Sequence, residues 1–206
     1  MESINNIKDI FNNTPENKLQ MFIEQYKDDS RQGVANLVKR AAKKIDDYNK
    51  EIERTYKLSE FERKYSDYEF ICGIDEVGRG PLAGPVVAGA VILPKDCDIL
   101  YINDSKKLSA KKREELYEVI MEKAVCAKTA VVSPKVIDEI NILQATYEAM
   151  RQAISMLEPQ PTLLLNDAVN IPGVPMKQVS IIKGDAKSIS IGAASIIAKV
   201  TRDAMM

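Results

Sequence analysis

Four acidic residues stand where this chain could do chemistry. Asp75 and Glu76 follow a short apolar run of strand length, Phe70 to Ile74; Asp167 follows another, Thr162 to Asn166; and Asp185 lies where a helix begins. Brought to one edge of a sheet, carboxylates about 4 Å apart would repel by roughly 4 kcal/mol per pair at an effective dielectric near 20. Such a cluster must be protonated, matched by Lys or Arg, or bound to divalent cations. Hard carboxylate oxygens without His or Cys favour Mg²⁺ or Mn²⁺ over zinc. Two such ions about 3.5 to 4 Å apart can activate a water and stabilise the leaving oxygen in phosphodiester hydrolysis. The chain has no histidine, which excludes Ser-His-Asp triads, His-paired cysteine nucleophiles and His-ligated zinc. Carboxylates, Lys, Tyr or a metal must carry any catalysis.

The first acidic pair is followed by Gly78, Arg79, Gly80 and Pro81, and then by a second apolar run from Val86 to Leu93. Glycines there let backbone N–H groups approach a ligand, which suits phosphate next to a metal. Alone, the segment is equally compatible with a hairpin turn bearing two solvated acids. Asp185 also suits a plain helix N-cap. Asp104 is expected to orient the loop bearing Lys106, and Asp203 to pair within its own helix.

The elements that must position these residues fall into two parts. Residues 1–69 read as helices, with a single glycine, Gly33, and a single proline, Pro15. Ile4, Ile7, Ile10 and Phe11 mark a first helix; Thr14 and Pro15 predict the N-cap and first position of a second; a third runs from about Ser30 into the fifties. Its charges from Arg31 to Lys44 are all positive, with Lys39, Arg40, Lys43 and Lys44 clustered. That stretch is a solvated helix face or a surface for a phosphate backbone. Composition shifts at Phe70, where the boundary to a second domain, 70–206, is placed. There strands are expected at 70–74, 86–93, 127–132, 162–166 and 179–182, with the first two antiparallel. Helices are expected from Ser109 to about Ala124 and from Ser133-Pro134 to about Leu157, and a third follows Ser188. The class is α/β with a mixed sheet flanked by helices, next to a small N-terminal helical domain. The uncharged run Ser188 to Ala198, built of Ile, Gly, Ala and Ser, should pack closely beneath the sheet.

With 206 residues, a formal net charge of −1 and a pI near 5.7, bulk charge gives no drive toward nucleic acid, so such binding needs local patches. Three dispersed cysteines argue against a disulfide framework and are expected to be reduced and mostly buried. No segment reads as a membrane span or signal peptide, so a cytoplasmic protein with no membrane association is expected.

Taken in order, these motifs resemble type 2 ribonuclease H, and specifically the bacterial ribonuclease HII family. Asp75-Glu76-Val77-Gly78-Arg79-Gly80-Pro81-Leu82-Ala83-Gly84-Pro85 looks like its opening motif and Asp104-Ser105-Lys106-Lys107-Leu108 like its second. Leu165-Asn166-Asp167-Ala168 and Lys183-Gly184-Asp185-Ala186-Lys187-Ser188 are similar to the segments bearing its third and fourth carboxylates, and Ala193 to Asp203 to the helix that follows. The N-terminal helices are similar to an extension in some bacterial members. The resemblance implies a ribonuclease H fold and cleavage of RNA in RNA–DNA hybrids and of duplex DNA containing ribonucleotides. Asp75, Glu76, Asp167 and Asp185 would bind two Mg²⁺ or Mn²⁺ ions. Gly78, Arg79 and Gly80 would contact the 2′-hydroxyl at the RNA–DNA junction, and Lys106 and Lys183 would hold phosphates. Arg79 favours this type over the sister ribonuclease HIII. A monomer is expected. The family continues past the Thr201-Arg202-Asp203 helix into a segment with a junction-stacking tyrosine, so a C-terminally truncated chain is expected; the alternative function is an RNA–DNA hybrid-binding fragment with weak or no activity.

Overall fold

The computed structural model describes residues 2–80 and 83–206; Pro81 and Leu82 of the glycine-rich motif lie outside them. The chain divides into two compact units, Met1–Arg54 and Thr55–Met206. The first is helical. Ser3 opens α1 (Ile4–Asn13) by accepting the Asn6 N–H, and α2 (Leu19–Tyr26) and α3 (Gln32–Leu58) follow. Ile7, Phe11, Leu19, Phe22, Val34, Leu37 and Ala41 come together as the unit's core. Thr14 closes α1 instead of opening α2. Its hydroxyl donates back to the Ile10 carbonyl at 2.7 Å, which takes the side chain away from the capping role ahead of it. A 3₁₀ turn, Glu16–Lys18, then separates Pro15 from α2.

The second unit takes in the last residues of α3 and α4 (Glu60–Lys64) and is built on β1 (Ile71–Val77), β2 (Val86–Ile92), β3 (Cys126–Val132), β4 (Leu163–Asp167) and β5 (Lys177–Ile181), in the sheet order β3-β2-β1-β4-β5. β1 runs antiparallel to β2 and parallel to β4; β2 and β3 pair antiparallel, β4 and β5 parallel. This is the mixed sheet expected from the apolar runs. α5 (Ala110–Lys123) is capped by Ser109, whose Oγ accepts the Lys112 N–H. α6 (Pro134–Ser155) packs against Cys72, Ile74, Ala88 and Ala90 on one face of the sheet.

The helix expected to run unbroken from Ser133 is two segments within α6. Asn141 sits at φ 66°, ψ 163°, outside the helical region. Its Oδ1 accepts the N–H groups of Leu143 and Gln144 and so caps the second segment. Ile140 and Leu143, on the apolar stripe of an unbroken helix, are therefore exposed, whereas Ala149, Met150, Ala153 and Ile154 are buried.

α7 (Ile189–Asp203) lies on the opposite face. The helix backbone comes down onto two glycines of the sheet: a β-carbon on Gly73 would lie 2.1 Å from the Ser190 carbonyl carbon, and one on Gly89 2.3 Å from the Ala194 oxygen. That approach buries Ile191, Ala193, Ala194, Ile196 and Ile197 completely, each isoleucine contributing about 1.5–3 kcal/mol. Ser188 caps the helix, and the Glu62 carboxylate of α4 accepts from the Ser188 hydroxyl, the Ser190 N–H and the Ser190 hydroxyl. An anion is favoured at this end by the helix dipole.

The three cysteines are free thiols, and Cys72 alone of them is fully buried, its thiol pushed far up by that burial. Among the described residues no helix is long and apolar enough to cross a membrane.

Candidate active site

Parallel pairing of β1 with β4 sets Ile74 beside Asn166, so the next residue of each strand is an aspartate. Asp75 and Asp167 thus follow directly on the last paired residues of two neighbouring parallel strands, whose axes lie about 4.8 Å apart; Asp167 ends β4, whereas β1, expected to stop at Ile74, runs on through Asp75 and Glu76 to Val77. Alternation along β1 puts Asp75 on the face of Gly73, under α7, and directs Glu76 to the other. Asp75 is 7% exposed and pairs across β2 with Gly89. Asp167 Oδ1 accepts the Gly184 N–H at 2.6 Å. That bond ties the 3₁₀ turn Gly184–Ala186, which carries Asp185, to the end of β4. Asp185 is not the cap of α7; Ser188 is. Two non-glycine residues in the left-handed region bracket these acids, Ala168 at φ 54° and Lys183 at φ 59°, a conformation that persists only where its surroundings enforce it.

The charges of this group act on one another. Burial holds Asp75 well above the ordinary carboxylate range, Glu76 and Asp167 push it further, and the Ser195 hydroxyl opposes the rise. Glu76 is raised by burial, against the pull of Arg79 and with a further push from Asp167. Asp185 is raised by burial and then by Asp104 and Asp167, with Lys106 opposing. The site is short of positive charge. The Arg79 guanidinium stands 3.4 Å from Glu76, and a pair that exposed contributes at most about 1 kcal/mol. The donor set, hard carboxylate oxygens with a charge deficit, fits a divalent cation of the Mg²⁺ type. As the side chains stand, no three acidic or sulfur ligands among the described residues enclose a common point.

Beside the acids opens a cleft of about 370 Å³, lined by Glu76, Val77, Gly78, Arg79, Gly80, Ser105, Lys106, Lys199 and Arg202. It brings together Gly78, Arg79, Gly80 and Lys106. Asp104 does orient the Lys106 turn: its Oδ1 accepts the Lys106 N–H at 2.9 Å. Asp203 pairs with Lys199 in its own helix and with Arg113 at 3.3 Å. Lys183 is exposed and does not line the cleft. Lys39, Arg40, Lys43 and Lys44 are exposed in the first unit, where Arg40 and Lys44 stand 5.0 and 4.7 Å from the Phe11 ring centroid. Arg31 is engaged by Asp29 at 2.6 Å.

The family model described as Ribonuclease HII matches residues 72–206, and the one described as Ribonuclease HII N-terminal domain matches residues 3–66. The chain belongs to the ribonuclease HII family. Ribonuclease HII of Lachnoclostridium phytofermentans is 62% identical over 183 residues, covering 89% of this chain and 72% of the relative. That of Clostridioides difficile is 50% identical over 207 residues, covering 100% and 81%. The crystal structure of ribonuclease H2 from Pyrococcus horikoshii OT3 superposes with a TM-score of 0.57 at 31% identity, covering 66% of this chain and 72% of that one. The expected ribonuclease H-like fold is the observed one, and the protein is an endonuclease of the ribonuclease H type.

In this ribonuclease HII two polar residues of α7 matter that were not singled out from the residue pattern. Ser195 bonds toward Asp75, and its hydroxyl is 2.9 Å from that of Ser105 beneath the cleft. Arg202 is buried at the cleft's edge. The two are seven residues apart, hence on one helix face, and a polar pair on the buried side of so apolar a helix is the signal that could have revealed them.

Proposed function

We propose that this ribonuclease HII hydrolyses the RNA strand of RNA–DNA hybrids and nicks duplex DNA 5′ to embedded ribonucleotides, leaving 5′-phosphate and 3′-hydroxyl ends. The observation that carries this reading is the place of Asp75 and Asp167, each directly after the Ile74–Asn166 pair of adjacent parallel strands, beside a cleft lined by Glu76, Arg79 and Lys106. Asp75, Glu76, Asp167 and Asp185 would hold two Mg²⁺ or Mn²⁺ ions, supplying positive charge to an attacking water and a leaving oxygen. The ribonuclease H family depends on divalent metal, which agrees with the charge deficit. Arg79, bound only loosely to Glu76, is free to turn toward a 2′-hydroxyl, the group that distinguishes RNA from DNA. Lys106 faces the cleft as a phosphate contact, and Lys183 serves one outside it. On this reading residues 70–206 perform the chemistry as a cytoplasmic monomer, and residues 1–69 add grip.

Asp167→Asn tests the assignment. Asparagine keeps an oxygen to accept the Gly184 N–H, so the fold should survive, while turnover on a duplex with one embedded ribonucleotide should fall about 10³-fold in Mg²⁺ or Mn²⁺. Unchanged turnover would overturn it. Nicking by the wild-type chain also rejects a protein that only binds hybrids. For the basic face, Arg40 and Lys44 are confounded by their packing on Phe11, so the cleaner variant reverses Lys39 and Lys43 to Glu. For every phosphate that the variant no longer neutralises, the slope of log affinity against log salt should flatten by about 0.9; an unchanged slope means the face is only solvated.

A further inference from the structure

Arg202 is a charge buried to 7% exposure at the last turn of α7. No carboxylate pairs with it among the described residues; its Nε donates to the Pro85 carbonyl at 2.9 Å and its Nη2 to the Ala83 carbonyl at 3.0 Å. A guanidinium left without an anion is retained at such burial only where fixed acceptors replace its water. Both acceptors belong to the turn between β1 and β2. Two glycines of that turn close on the same group. Gly78 (φ 101°) could carry no β-carbon without bringing it 2.7 Å from Arg202 Nε and 2.4 Å from the Pro85 oxygen, and at Gly84 (φ 96°) the distance to Nη2 would be 2.9 Å. Gly78 on one side and Ala83, Gly84 and Pro85 on the other thus lie against the guanidinium, and Arg79 lies one residue past Gly78. The same end of α7 holds the other wall of the cleft. Asp203 pairs with Arg113, whose Nη1 donates to the carbonyls of Ser105 and Leu108 on either side of Lys106.

We infer that Arg202 is a positioning residue for Arg79: it fixes the β1–β2 turn so that Arg79 and Gly80 face the cleft in register with Lys106. This rests on the reading above, in which Arg79 contacts the ribonucleotide. A residue that merely braced the fold would lower stability and affect every variant alike. One that acts through Arg79 should lose its effect when Arg79 is already gone.

The experiment is a double-mutant cycle on a duplex with one embedded ribonucleotide, with kcat, KM and melting temperature measured for wild type, Arg202→Gln, Arg79→Ala and the double variant. Arg202→Gln should raise KM about tenfold with kcat within about twofold of wild type, whereas in the Arg79→Ala background it should change KM by less than about twofold. Arg202→Lys, which keeps the charge but reaches one carbonyl, should fall between wild type and Gln, and it carries the cycle if the Gln variant does not fold. The inference is overturned if the Arg202 substitution multiplies KM equally in both backgrounds, or leaves KM unchanged in the first. A wild-type chain that does not cleave, or an Arg79→Ala variant with wild-type KM, sinks instead the reading on which it rests.

Discussion

Gly73 and Gly89, in the strands beneath α7, and Gly78 and Gly80, in the turn beyond β1, meet entirely different neighbours. In the strands the obstacle is backbone: α7 lies so low that a β-carbon at either position would stand 2.1 to 2.3 Å from main-chain atoms of the helix. In the turn, Gly78 has a positive φ and the Arg202 guanidinium against it, while at Gly80 a β-carbon would meet nothing within 4 Å among the described residues. The stretch from β1 through the turn reads in sequence as one glycine-rich fingerprint, yet its glycines answer three demands. Those in the strands let a helix approach, Gly78 lets a loop close around a charge, and Gly80 answers to none of the described residues. A glycine without an internal reason is where a ligand's demand should be sought.

The strand glycines should give the largest effect. In Gly73→Ala the new methyl group meets the backbone of Ser190 and Ile191, which cannot rotate aside as a side chain can, so α7 must lift from β1. Overpacking of this kind costs about 3 kcal/mol or more, and for a domain of 150–250 residues that is a fall of about 10 °C in melting temperature. Thermal unfolding followed by circular dichroism measures it. A melting point within about 2 °C of wild type would show that α7 does not rest on β1 at this point.

What could be read from the residues follows the same division. The floor was legible: an uncharged run of Ile, Ala, Gly and Ser can only be a closely buried helix, and the five apolar runs became the strands of the sheet. Asp167 was legible as a strand-end residue, whereas Asp75 and Glu76, expected to follow their strand, lie within it. Their convergence was not, because Asp75 and Asp167 meet through a parallel register between strands far apart in the chain, and no local signal encodes a register; there the family resemblance supplied what spacing could not. Breaks made by side chains were also hidden. Asn141 interrupts α6 by capping its second segment, and Thr14 bonds back to Ile10, although both residue types are tolerated in either role. The left-handed turns at Ala168 and Lys183 carry no glycine to announce them. Nothing near Arg202 in the chain marks it as buried, since burial of its charge depends on carbonyls more than a hundred residues earlier.

The turn glycines give the smaller and more informative effect. Gly78→Ala forces an L-residue to φ 101° and pushes on Arg202 and the Pro85 carbonyl, so stability should fall by about 2 kcal/mol, with cleavage falling alongside it. Gly80→Ala meets no atom of the described residues and needs no positive φ, so its folded state should be unperturbed. Loss of glycine's freedom in the unfolded chain should even raise stability by about 0.5 kcal/mol. If the backbone at Gly80 must approach a ribonucleotide, KM for a duplex with one embedded ribonucleotide should nevertheless rise about tenfold, the scale expected when a methyl group obstructs a close approach. The two variants then separate: Gly78→Ala loses stability and activity together, Gly80→Ala activity alone. Melting temperatures and KM measured side by side decide it. A Gly80→Ala variant with wild-type KM would mean that the substrate does not press on this part of the turn, leaving Arg79 as the turn's contact with the ribose.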